Sequence, residues 1–446
     1  MIKVITYGTY DLLHRGHIRL LERAKALGDY LVVGVTADSF DRTRGKINVE
    51  QSLMERIEAV RATGLADEII VEEYEGQKID DIKRMDIDIF TVGSDWVGKF
   101  DYLNEFCKVV YLERTQGVSS SEIRAGRQDV HIGLVGESSL LNKFERECHY
   151  VNGASLSGIY SLDSANLSPA IKELPCQASS FDELLDASDA LYVVSHPSRH
   201  YSQIKQALLA GKHVLCESPI ALSIKEQEEL EQIAHERSLV LMDSIKTAYS
   251  TAYNRMLLLV KSGRIGRVVS VDAVCTSLSD LEKRGNKPDA NTWNSICAWG
   301  PTALLPVFQL LGTEYIDKQI CSFMLDKDFD VFTKVAFVYP HALASVKIGK
   351  GAKSEGELII SGTNGYVYIP APWWKTDYFE IRYENPAENK RYFYKLEGEG
   401  IRFEIVSFLK SIKMKNYNYS YIDVCHSRAI VGIVEDFYAG NLKVLE

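Results

Sequence analysis

Two histidines three residues apart, His14 and His17, lie on either side of Gly16 in the segment His14-Arg15-Gly16-His17. Imidazole N–H groups can donate hydrogen bonds to charge that builds up on a phosphoryl group during its transfer. Gly16 lets the backbone approach a ligand closely, because it has no Cβ. A single histidine near a turn is usually structural, but two histidines at this spacing beside a glycine indicate phosphate chemistry.

The elements around these residues are the ones that such chemistry needs. The apolar run Val4 to Tyr7 predicts a buried strand that ends at Gly8, and a helical apolar pattern runs from Ile18 to Leu27. A strand, a glycine-containing turn and a helix N-terminus direct free backbone N–H groups and the positive end of the helix at an anion. The sequence therefore predicts a phosphate site between the first strand and the first helix.

Further along the chain, two more segments offer groups that bind anions. The basic loop 41–46 follows a predicted strand at Tyr30 to Val35, and Arg114 to Ser121 follows another at Val109 to Leu112. A surface charge run is usually only solvated, but ligands bind at the carboxyl ends of strands in open α/β sheets. Alternating strands and helices predict a parallel, doubly wound domain with two phosphate cradles.

The segment 14–17 is the H-x-G-H signature of the nucleotidyltransferase superfamily. The longer run with Thr9 and Asp11 resembles bacterial glycerol-3-phosphate cytidylyltransferases, and the likeness covers about residues 1 to 125. Further matches to this family lie at Gly93-Ser94-Asp95-Trp96 and at residues 114–120. Several separated matches in the same order make this resemblance specific.

The resemblance implies three sets of site residues. The catalytic residues would be His14, His17, Lys46 and Arg114. The second substrate would contact Arg44, where relatives carry a lysine, with Lys78 and Trp96. The nucleotide would contact Gly8, Thr9, Tyr10, Asp11, His14, Arg15, Gly16, His17, Lys46, Asp95, Arg114, Thr115, Gly117, Ser119, Ser120 and Ser121.

The implied reaction is cytidylyl transfer. A phosphate oxygen of the acceptor attacks the α-phosphate of CTP, and pyrophosphate leaves without a covalent enzyme intermediate. Positioning and charge neutralisation would carry the rate. Mg²⁺ is the expected cofactor, with no metal-ligating side chain predicted, and the preference for CTP rests on the resemblance.

One departure from the family concerns the acceptor. Family members place an Arg-Tyr dipeptide before the third strand, whereas this chain reads Gly64-Leu65-Ala66-Asp67, with Arg61 one turn earlier. Glycerol 3-phosphate is the expected acceptor, and another polyol phosphate, such as glycerol 2-phosphate, stays open.

The second half of the chain starts a new α/β pattern. Predicted strands at 130–136, 158–163, 190–197 and 212–219 resemble the glucose–fructose oxidoreductase / inositol dehydrogenase family over about residues 130 to 446. The resemblance implies a Rossmann domain for NAD(P), then an α/β domain with an open, mainly antiparallel sheet that often forms the dimer. Candidate NAD(P)-binding residues are Gly133, Gly136, Asp163 and Glu217.

The catalytic motifs of that family are not retained. The family's G-x-G-x-x-G loop corresponds to residues 136–141 of this chain, where Ser138 and Leu141 replace the second and third glycines. The family's Glu-Lys-Pro reads Glu217-Ser218-Pro219, and its aspartate and histidine fall at Ala298 and Thr302. The sequence thus favours an oxidoreductase fold without hydride transfer.

Two alternatives stay open. The second half could be an active NAD(P)-dependent reductase or dehydrogenase that supplies the polyol, or a scaffold for dimerisation or partner docking. His196 and His200 could be a relocated acid–base pair, but a loop pair without a ligand is the favoured interpretation.

Composition limits the remaining possibilities. The 446 residues carry a net charge of −10, which argues against a nucleic-acid or anionic-membrane surface. Eight widely spaced cysteines without a C-x-x-C pair indicate reduced thiols in the cytoplasm. No secretory leader or bilayer-spanning run is predicted.

These observations predict three domains, at 1–126, 127–245 and 246–446, with the C-terminal helix packing back on the Rossmann domain. We expect a cytoplasmic homodimer or higher homo-oligomer. Its CDP-polyol product would be an activated precursor for a wall or capsule polymer.

Overall fold

The computed structural model of the chain describes residues 1–37, 49, 51–74, 76–113, 129–278, 291–394, 396, 398–414 and 420–445. The chain forms two compact units, Met1–Asp129 and Val130–Glu446. The predicted boundary after residue 126 lies outside the described residues, and the division into three domains stays a prediction.

The first unit is built on a parallel sheet of five strands in the order β3-β2-β1-β4-β5. The strands are β1 (Lys3–Gly8), β2 (Tyr30–Thr36), β3 (Glu68–Glu72), β4 (Ile89–Gly93) and β5 (Lys108–Leu112). The helices are α1 (Arg15–Lys25), α2 (Leu53–Ala62) and α3 (Gln77–Met85), and 3₁₀ turns lie at Ser94–Trp96 and Asp101–Glu105. The predicted doubly wound fold is confirmed.

The core of this unit lies on both faces of the sheet, because β1 and β2 are buried in its middle. Val4 and Val33 belong to the cluster on one face, and Ile5 and Val32 to the cluster on the other. Alternate residues of a strand point to opposite faces, which explains this division.

The second unit contains two sheets. The first is parallel, in the order β11-β10-β9-β6-β7-β8, which is the predicted Rossmann arrangement. Its strands are β6 (Val130–Val135), β7 (Ala154–Tyr160), β8 (Cys176–Gln177), β9 (Ala190–Val193), β10 (His213–Glu217) and β11 (Leu241–Ser244). Its helices are α4 (Leu140–Cys148), α5 (Pro169–Lys172), α6 (Phe181–Asp186), α7 (Pro197–Leu209) and α8 (Ile224–Glu236).

The second sheet has nine strands, in the order β19-β18-β17-β16-β12-β15-β14-β13-β20, and is mainly antiparallel as predicted. Its strands are β12 (Val268–Thr276), β13 (Asp317–Asp326), β14 (Phe329–Val338), β15 (Leu343–Gly349), β16 (Leu358–Gly362), β17 (Tyr366–Ile369), β18 (Tyr378–Arg382), β19 (Lys390–Phe393) and β20 (Lys443–Leu445). Helices α9 (Thr251–Lys261), α10 (Ser295–Leu311), α11 (Ile401–Met414) and α12 (Val424–Tyr438) complete the unit.

The last helix, α12, is joined to α8 of the Rossmann part by polar contacts. The amide Nε2 of Gln227 donates to Oγ of Ser427 at 2.9 Å, and Arg428 pairs with Glu231. These contacts fix the C-terminal end of the chain to the parallel sheet.

In the part of the chain that the structure describes, no helix combines the length and apolar character needed to cross a bilayer. All eight cysteines carry free thiols.

Candidate active site

The loop between β1 and α1 has a constrained backbone. Tyr10 and Leu12 both adopt left-handed conformations, with φ of 53° and 48°. The Tyr10 ring is buried against Gly8, where a Cβ atom would lie 3.0 Å from the ring. Such strain in a loop with polar side chains is common at functional sites.

Gln51 holds this loop in place. Its backbone N–H donates to Oδ1 of Asp11 at 3.0 Å, and its side-chain oxygen accepts from the N–H of Leu12 at 2.8 Å. Asp11 is therefore buried as a loop anchor, and its predicted contact with nucleotide stays a prediction.

The two histidines lie together at the start of α1. His14 is the N-cap residue, and its Nδ1 accepts a hydrogen bond from the N–H of Gly16 at 3.0 Å. The His14 and His17 rings stack with centroids 3.9 Å apart, and the Tyr10 ring meets His17 edge-on at 5.5 Å. The predicted pair thus forms one side-chain cluster at the carboxyl end of the central strand.

The cap defines the tautomer of His14. A ring nitrogen that accepts a hydrogen bond carries no proton, so the proton of a neutral His14 is on Nε2. That nitrogen is then the ring atom that can donate a hydrogen bond. The cap also uses one of the backbone N–H groups that the sequence assigned to the anion.

Arg56 of α2 is the site residue that sequence reasoning missed. It is fully buried, and its guanidinium donates to the carbonyl oxygens of Thr9 at 2.7 Å and Thr36 at 2.8 Å. It joins the β1–α1 loop to the end of β2. The sequence signal for a buried arginine was its position between Leu53 and Val60, on the apolar face of the helix.

Lys78 lies on α3 as predicted, but it is buried in an ion pair with Glu72. Its ammonium is 4.6 Å from the centre of the Tyr7 ring, and Glu72 also accepts from Oγ1 of Thr36 at 2.9 Å. Asp81 accepts from the Tyr7 hydroxyl at 2.9 Å. Burial, with the Asp81 charge, raises the pKa of Tyr7, so the hydroxyl stays protonated.

Trp96 follows β4 in a 3₁₀ turn, at the carboxyl edge of the sheet. Its ring lies 5.8 Å from the Phe100 ring, and the Lys99 ammonium lies 4.9 Å from its centre. Asp95 belongs to the same turn. Arg15 is exposed on the first turn of α1.

Several predicted site residues lie outside the described residues, and their placement stays a prediction. They are Arg44, Lys46, Arg114, Thr115, Gly117, Ser119, Ser120 and Ser121.

Comparison with known proteins decides the family. Residues 5–126 match the cytidylyltransferase-like family. A glycerol-3-phosphate cytidylyltransferase from Bacillus spizizenii is 50% identical over 124 residues, which are 28% of this chain and 95% of that protein. The chain belongs to the cytidylyltransferase-like family. Its first unit is a nucleotidyltransferase domain, and the histidine cluster of this cytidylyltransferase domain lies inside the matched region.

In the second unit, the glycine positions retain their structural roles. A Cβ on Gly136 would lie 2.6 Å from the backbone N of Ser195, and φ there is 129°. A Cβ on Gly133 would collide with the Ser188 hydroxyl. Both glycines therefore permit close packing at the end of β6, whether or not a dinucleotide binds.

The residue after Gly136 is a buried carboxylate with a cationic partner. Glu137 makes a two-pronged ion pair with Arg199 of α7, at 3.2 and 2.6 Å. The negative charge of Glu137 is thus neutralised by a partner 62 residues away.

Asp163 is not at a strand end as predicted. Strand β7 ends at Tyr160, and Asp163 is exposed in the following turn, where it accepts from the N–H of Ala165 at 2.9 Å. The polar, turn-forming segment after Tyr160 ends the strand earlier than the apolar pattern indicated.

Glu217 ends β10 and belongs to a polar cluster. Its Oε1 accepts from Tyr192 at 2.7 Å and from Ser244 at 2.8 Å. Burial raises the pKa values of Glu217 and of the nearby Glu404, and the positive charge of Lys246 opposes both shifts. Lys246 therefore supplies positive charge to this pair from the segment after β11, whereas the position after Glu217 carries Ser218.

The positions expected to hold the family's aspartate and histidine lie on α10. They carry Ala298 and Thr302, and the neighbouring Trp299 packs against the Trp374 ring at 4.8 Å. Neither Ala298 nor Thr302 carries the carboxylate or imidazole that the family resemblance led us to expect at these positions.

His200 is a buried histidine between two strand ends. Its ring nitrogens lie 2.8 Å from the carbonyl oxygens of Ser195 and Pro219. Burial lowers the pKa of His200 to about 4, whereas the two carbonyl acceptors favour a ring with both nitrogens protonated and oppose that shift. His196 caps α7. The contacts of His196 and His200 fit the favoured interpretation, a pair of loop histidines that binds no ligand.

The second unit also has known relatives. Residues 130–244 match a family described as oxidoreductase, with an NAD-binding Rossmann fold. A glucose-6-phosphate 3-dehydrogenase from Bacillus subtilis is 26% identical over 195 residues, which are 42% of this chain and 56% of that protein. A 3-ketoreductase from Actinomadura kijaniata, solved with NADP and TDP-benzene, superposes with a TM-score of 0.60 at 16% identity, over 71% of this chain and 99% of that one.

Proposed function

We propose that the cytidylyltransferase domain transfers the cytidylyl group of CTP to glycerol 3-phosphate, giving CDP-glycerol and pyrophosphate. The observation that carries the proposal is the His14–Gly16–His17 cluster at the carboxyl end of the central strand. The 50% identity to a glycerol-3-phosphate cytidylyltransferase over nearly that protein's whole length supports the choice of substrates.

Within this proposal, the α-phosphate of CTP is bound beside the start of α1. Nε2 of His14 donates to a phosphate oxygen, because Nδ1 is engaged by Gly16. His17, stacked on His14, contacts the same phosphate. Oxygen of the acceptor phosphate attacks the α-phosphorus, and the bond to the pyrophosphate oxygen breaks.

Lys46 and Arg114 are proposed to neutralise the charge of the triphosphate, and Lys78, Arg44 and Trp96 to contact the acceptor. Mg²⁺ is proposed to accompany CTP. Among the described residues, the one group of three possible metal ligands is Asp423, Cys425 and His426, in the second unit. The described part of the first unit thus provides no protein-built metal site, and we derive no step through the ion.

A pyrophosphate-release assay on the full chain tests the proposal. Four nucleoside triphosphates are crossed with glycerol 3-phosphate, glycerol 2-phosphate and other polyol phosphates, in the presence of Mg²⁺. We expect turnover with CTP and glycerol 3-phosphate, and its loss in His14→Ala and His17→Ala. The control is His149→Ala, an exposed histidine on the second unit. Full turnover in both active-site variants would exclude the mechanism.

For the second unit, we propose an oxidoreductase fold that does not transfer hydride. Ser218, Ala298 and Thr302 replace the expected proton donors, and Glu217 is bonded to Tyr192 and Ser244. The test is titration of the full chain with NADH and NADPH, followed by nucleotide fluorescence, and then assays with keto compounds. Nucleotide oxidation would establish the bifunctional alternative, in which this unit supplies the polyol.

NAD(P) binding without hydride transfer is a further candidate, because the matched family is defined by an NAD-binding Rossmann fold. The test is whether Glu137→Ala, which leaves Arg199 free to bind phosphate, tightens NADPH binding.

Light scattering is the measurement for the proposed homodimer, and the exposed Phe323, Leu343 and Phe393 of the nine-stranded sheet support self-association. We place the reaction in the cytoplasm, upstream of a wall or capsule polymer.

A further inference from the structure

Three lysines from three separate segments of the second unit meet at one carboxylate. The ammonium groups of Lys143 and Lys246 lie 3.0 and 2.8 Å from Oε2 of Glu399, and that of Lys375 lies 2.8 Å from Oε1. Partial burial opposes ionisation, yet the three ammonium groups hold the pKa of Glu399 well below its ordinary value. The Glu399 carboxylate thus faces three ammonium groups, one of which, that of Lys246, also acts on Glu217 and Glu404.

The backbone is shaped to insert that carboxylate among the lysines. Glu399 has a left-handed conformation with φ of 53°, and its neighbours Gly398 and Gly400 have φ of 63° and 89°. A Cβ on Gly400 would lie 2.7 Å from the carbonyl oxygen of Lys246. Glycine adopts positive φ without steric cost, so Glu399 is the strained residue of the three, and its lysine contacts offset that cost.

The cluster lies at a cavity of about 620 Å³, a size that suits a small organic ligand. Its wall also contains a buried ion pair between Arg402 and Glu147, at 2.6 Å, and the guanidinium of Arg402 lies 4.3 Å from the centre of the Tyr150 ring. Arg146 and Asp377 complete the polar lining. The cavity wall carries four cationic side chains and three carboxylates, although the chain as a whole carries a net charge of −10.

We propose that this cavity binds a phosphate monoester of a small sugar or polyol, with its phosphate taking the place of the Glu399 carboxylate among Lys143, Lys246 and Lys375. A phosphate offers three oxygens to three ammonium donors, whereas a carboxylate offers two. Hydroxyl groups of the ligand can bond to Asp377 and Glu147 in the same cavity. Glu399 then acts as an internal competitor that leaves when the ligand enters.

This inference does not depend on the proposed cytidylyl transfer, because all of its residues belong to the second unit. Hydrogen exchange measured by mass spectrometry reads the site separately from the first unit. The full chain is incubated with inorganic phosphate, glycerol 3-phosphate or glucose 6-phosphate, and exchange is followed in peptides that cover 398–404. We expect a phosphate monoester to raise exchange at Glu399 and Gly400, because the loop is displaced.

The affinity of single variants for the phosphate monoester is the second measurement. Glu399→Gln removes the competing charge and should tighten binding of the monoester about tenfold, and Lys375→Ala should weaken it at least tenfold. The control is Lys205→Ala, a lysine paired with Glu229 on the surface of the same unit. Turnover with CTP should not change in the Lys375 variant.

Three results would contradict the proposed phosphate-monoester site. If Glu399→Gln lowers the unfolding temperature while the affinity stays within twofold, the lysines only clamp the loop, and the proposal fails. Equal affinity for inorganic phosphate and both monoesters would overturn the assignment to an ester. Should Glu399→Gln fail to fold, Lys143→Ala provides the second test, and unchanged monoester binding in Lys143→Ala and Lys375→Ala would also overturn it.

Discussion

The backbone N–H of Gly16 donates a hydrogen bond to Nδ1 of His14, at 3.0 Å. One histidine therefore has two tasks that belong to different ring nitrogens. Nδ1 caps helix α1, and Nε2 is the proposed donor to the α-phosphate. A substitution that keeps one nitrogen and removes the other can separate these tasks.

His14→Asn should retain the cap and lose the catalytic donor. The asparagine oxygen can accept from Gly16, so we expect the free energy of unfolding to change by less than about 0.5 kcal/mol. Turnover should fall by roughly 10² to 10³, because one donor to the developing charge is gone. His14→Ala should lose the same turnover and, in addition, about 1 kcal/mol of stability. Pyrophosphate release and urea unfolding of both variants check the prediction, and an asparagine variant with high turnover would contradict it.

Arg56 should act as a positioning residue for the same loop. Its Nη1 donates to the carbonyl oxygens of Thr9 and Thr36 and its Nε donates to that of Gln51 at 3.2 Å, and the single nitrogen of a lysine cannot occupy both donor positions. We expect Arg56→Lys to lower the free energy of unfolding by about 2 to 4 kcal/mol and turnover by roughly 10².

The matched control for Arg56 is Arg61→Lys on the same helix, where the arginine is exposed and paired with Glu58. Arg61→Lys should change neither the free energy of unfolding nor the turnover. A role confined to structure would give an Arg56→Lys enzyme whose turnover per folded molecule equals that of the wild type at low temperature.

The buried pair of Lys78 and Glu72 combines a structural and a proposed binding role. Removing one partner leaves an unpaired buried charge, so Lys78→Met alone should cost about 3 to 5 kcal/mol. The double variant Lys78→Met/Glu72→Gln should recover most of that stability, because no charge stays unpaired.

The KM for the acceptor distinguishes the two roles of Lys78. If its ammonium contacts glycerol 3-phosphate, the stable double variant should still show a KM raised at least tenfold, with the KM for CTP little changed. A normal acceptor KM in the double variant would show that Lys78 only supports the fold.

The sequence was sufficient for features that depend on local pattern. The strand–loop–helix around His14 is present as predicted, and Ser52 and Glu55 form a capping box at the start of α2. The partners of charged side chains were not predictable, because they come from distant parts of the chain. Lys143 and Glu399 are 256 residues apart, and no periodicity in the sequence relates them.

The same reason explains the partners of Glu137 and Arg56. Glu137 is a carboxylate in a glycine-poor loop, and the fold supplies Arg199 to balance its charge. An arginine on an apolar helix face gives a local signal, but only the strand order shows which carbonyl groups it reaches. Site chemistry was thus predictable where one segment provides it, and not where the fold assembles it.

Asp243 should make the second unit less stable as the pH rises. Burial raises its pKa to about 6, and the nearby charges of Glu217 and Glu231 act in the same direction. The folded chain therefore binds this proton more tightly than the unfolded chain, whose aspartate titrates near 3.8. The stabilisation is fully present below about pH 4 and is lost as the pH rises through 6, a difference of roughly 3 kcal/mol.

Asp243→Asn should remove the share of the pH dependence that Asp243 contributes, since an amide does not titrate and its oxygen can still accept from Ser427. The share of Asp330, whose pKa burial also raises to about 6, should persist. Unfolding in urea at several pH values between 4 and 8, followed by tryptophan fluorescence, measures the difference. Four of the five tryptophans lie in the second unit, so the signal reports mainly on it. The control is Asp186→Asn, which is exposed at the end of α6 and should leave the pH dependence unchanged. Parallel curves for wild type and Asp243→Asn would mean that Asp243 ionises in the folded protein as it does in water, and that the cavity around it admits solvent.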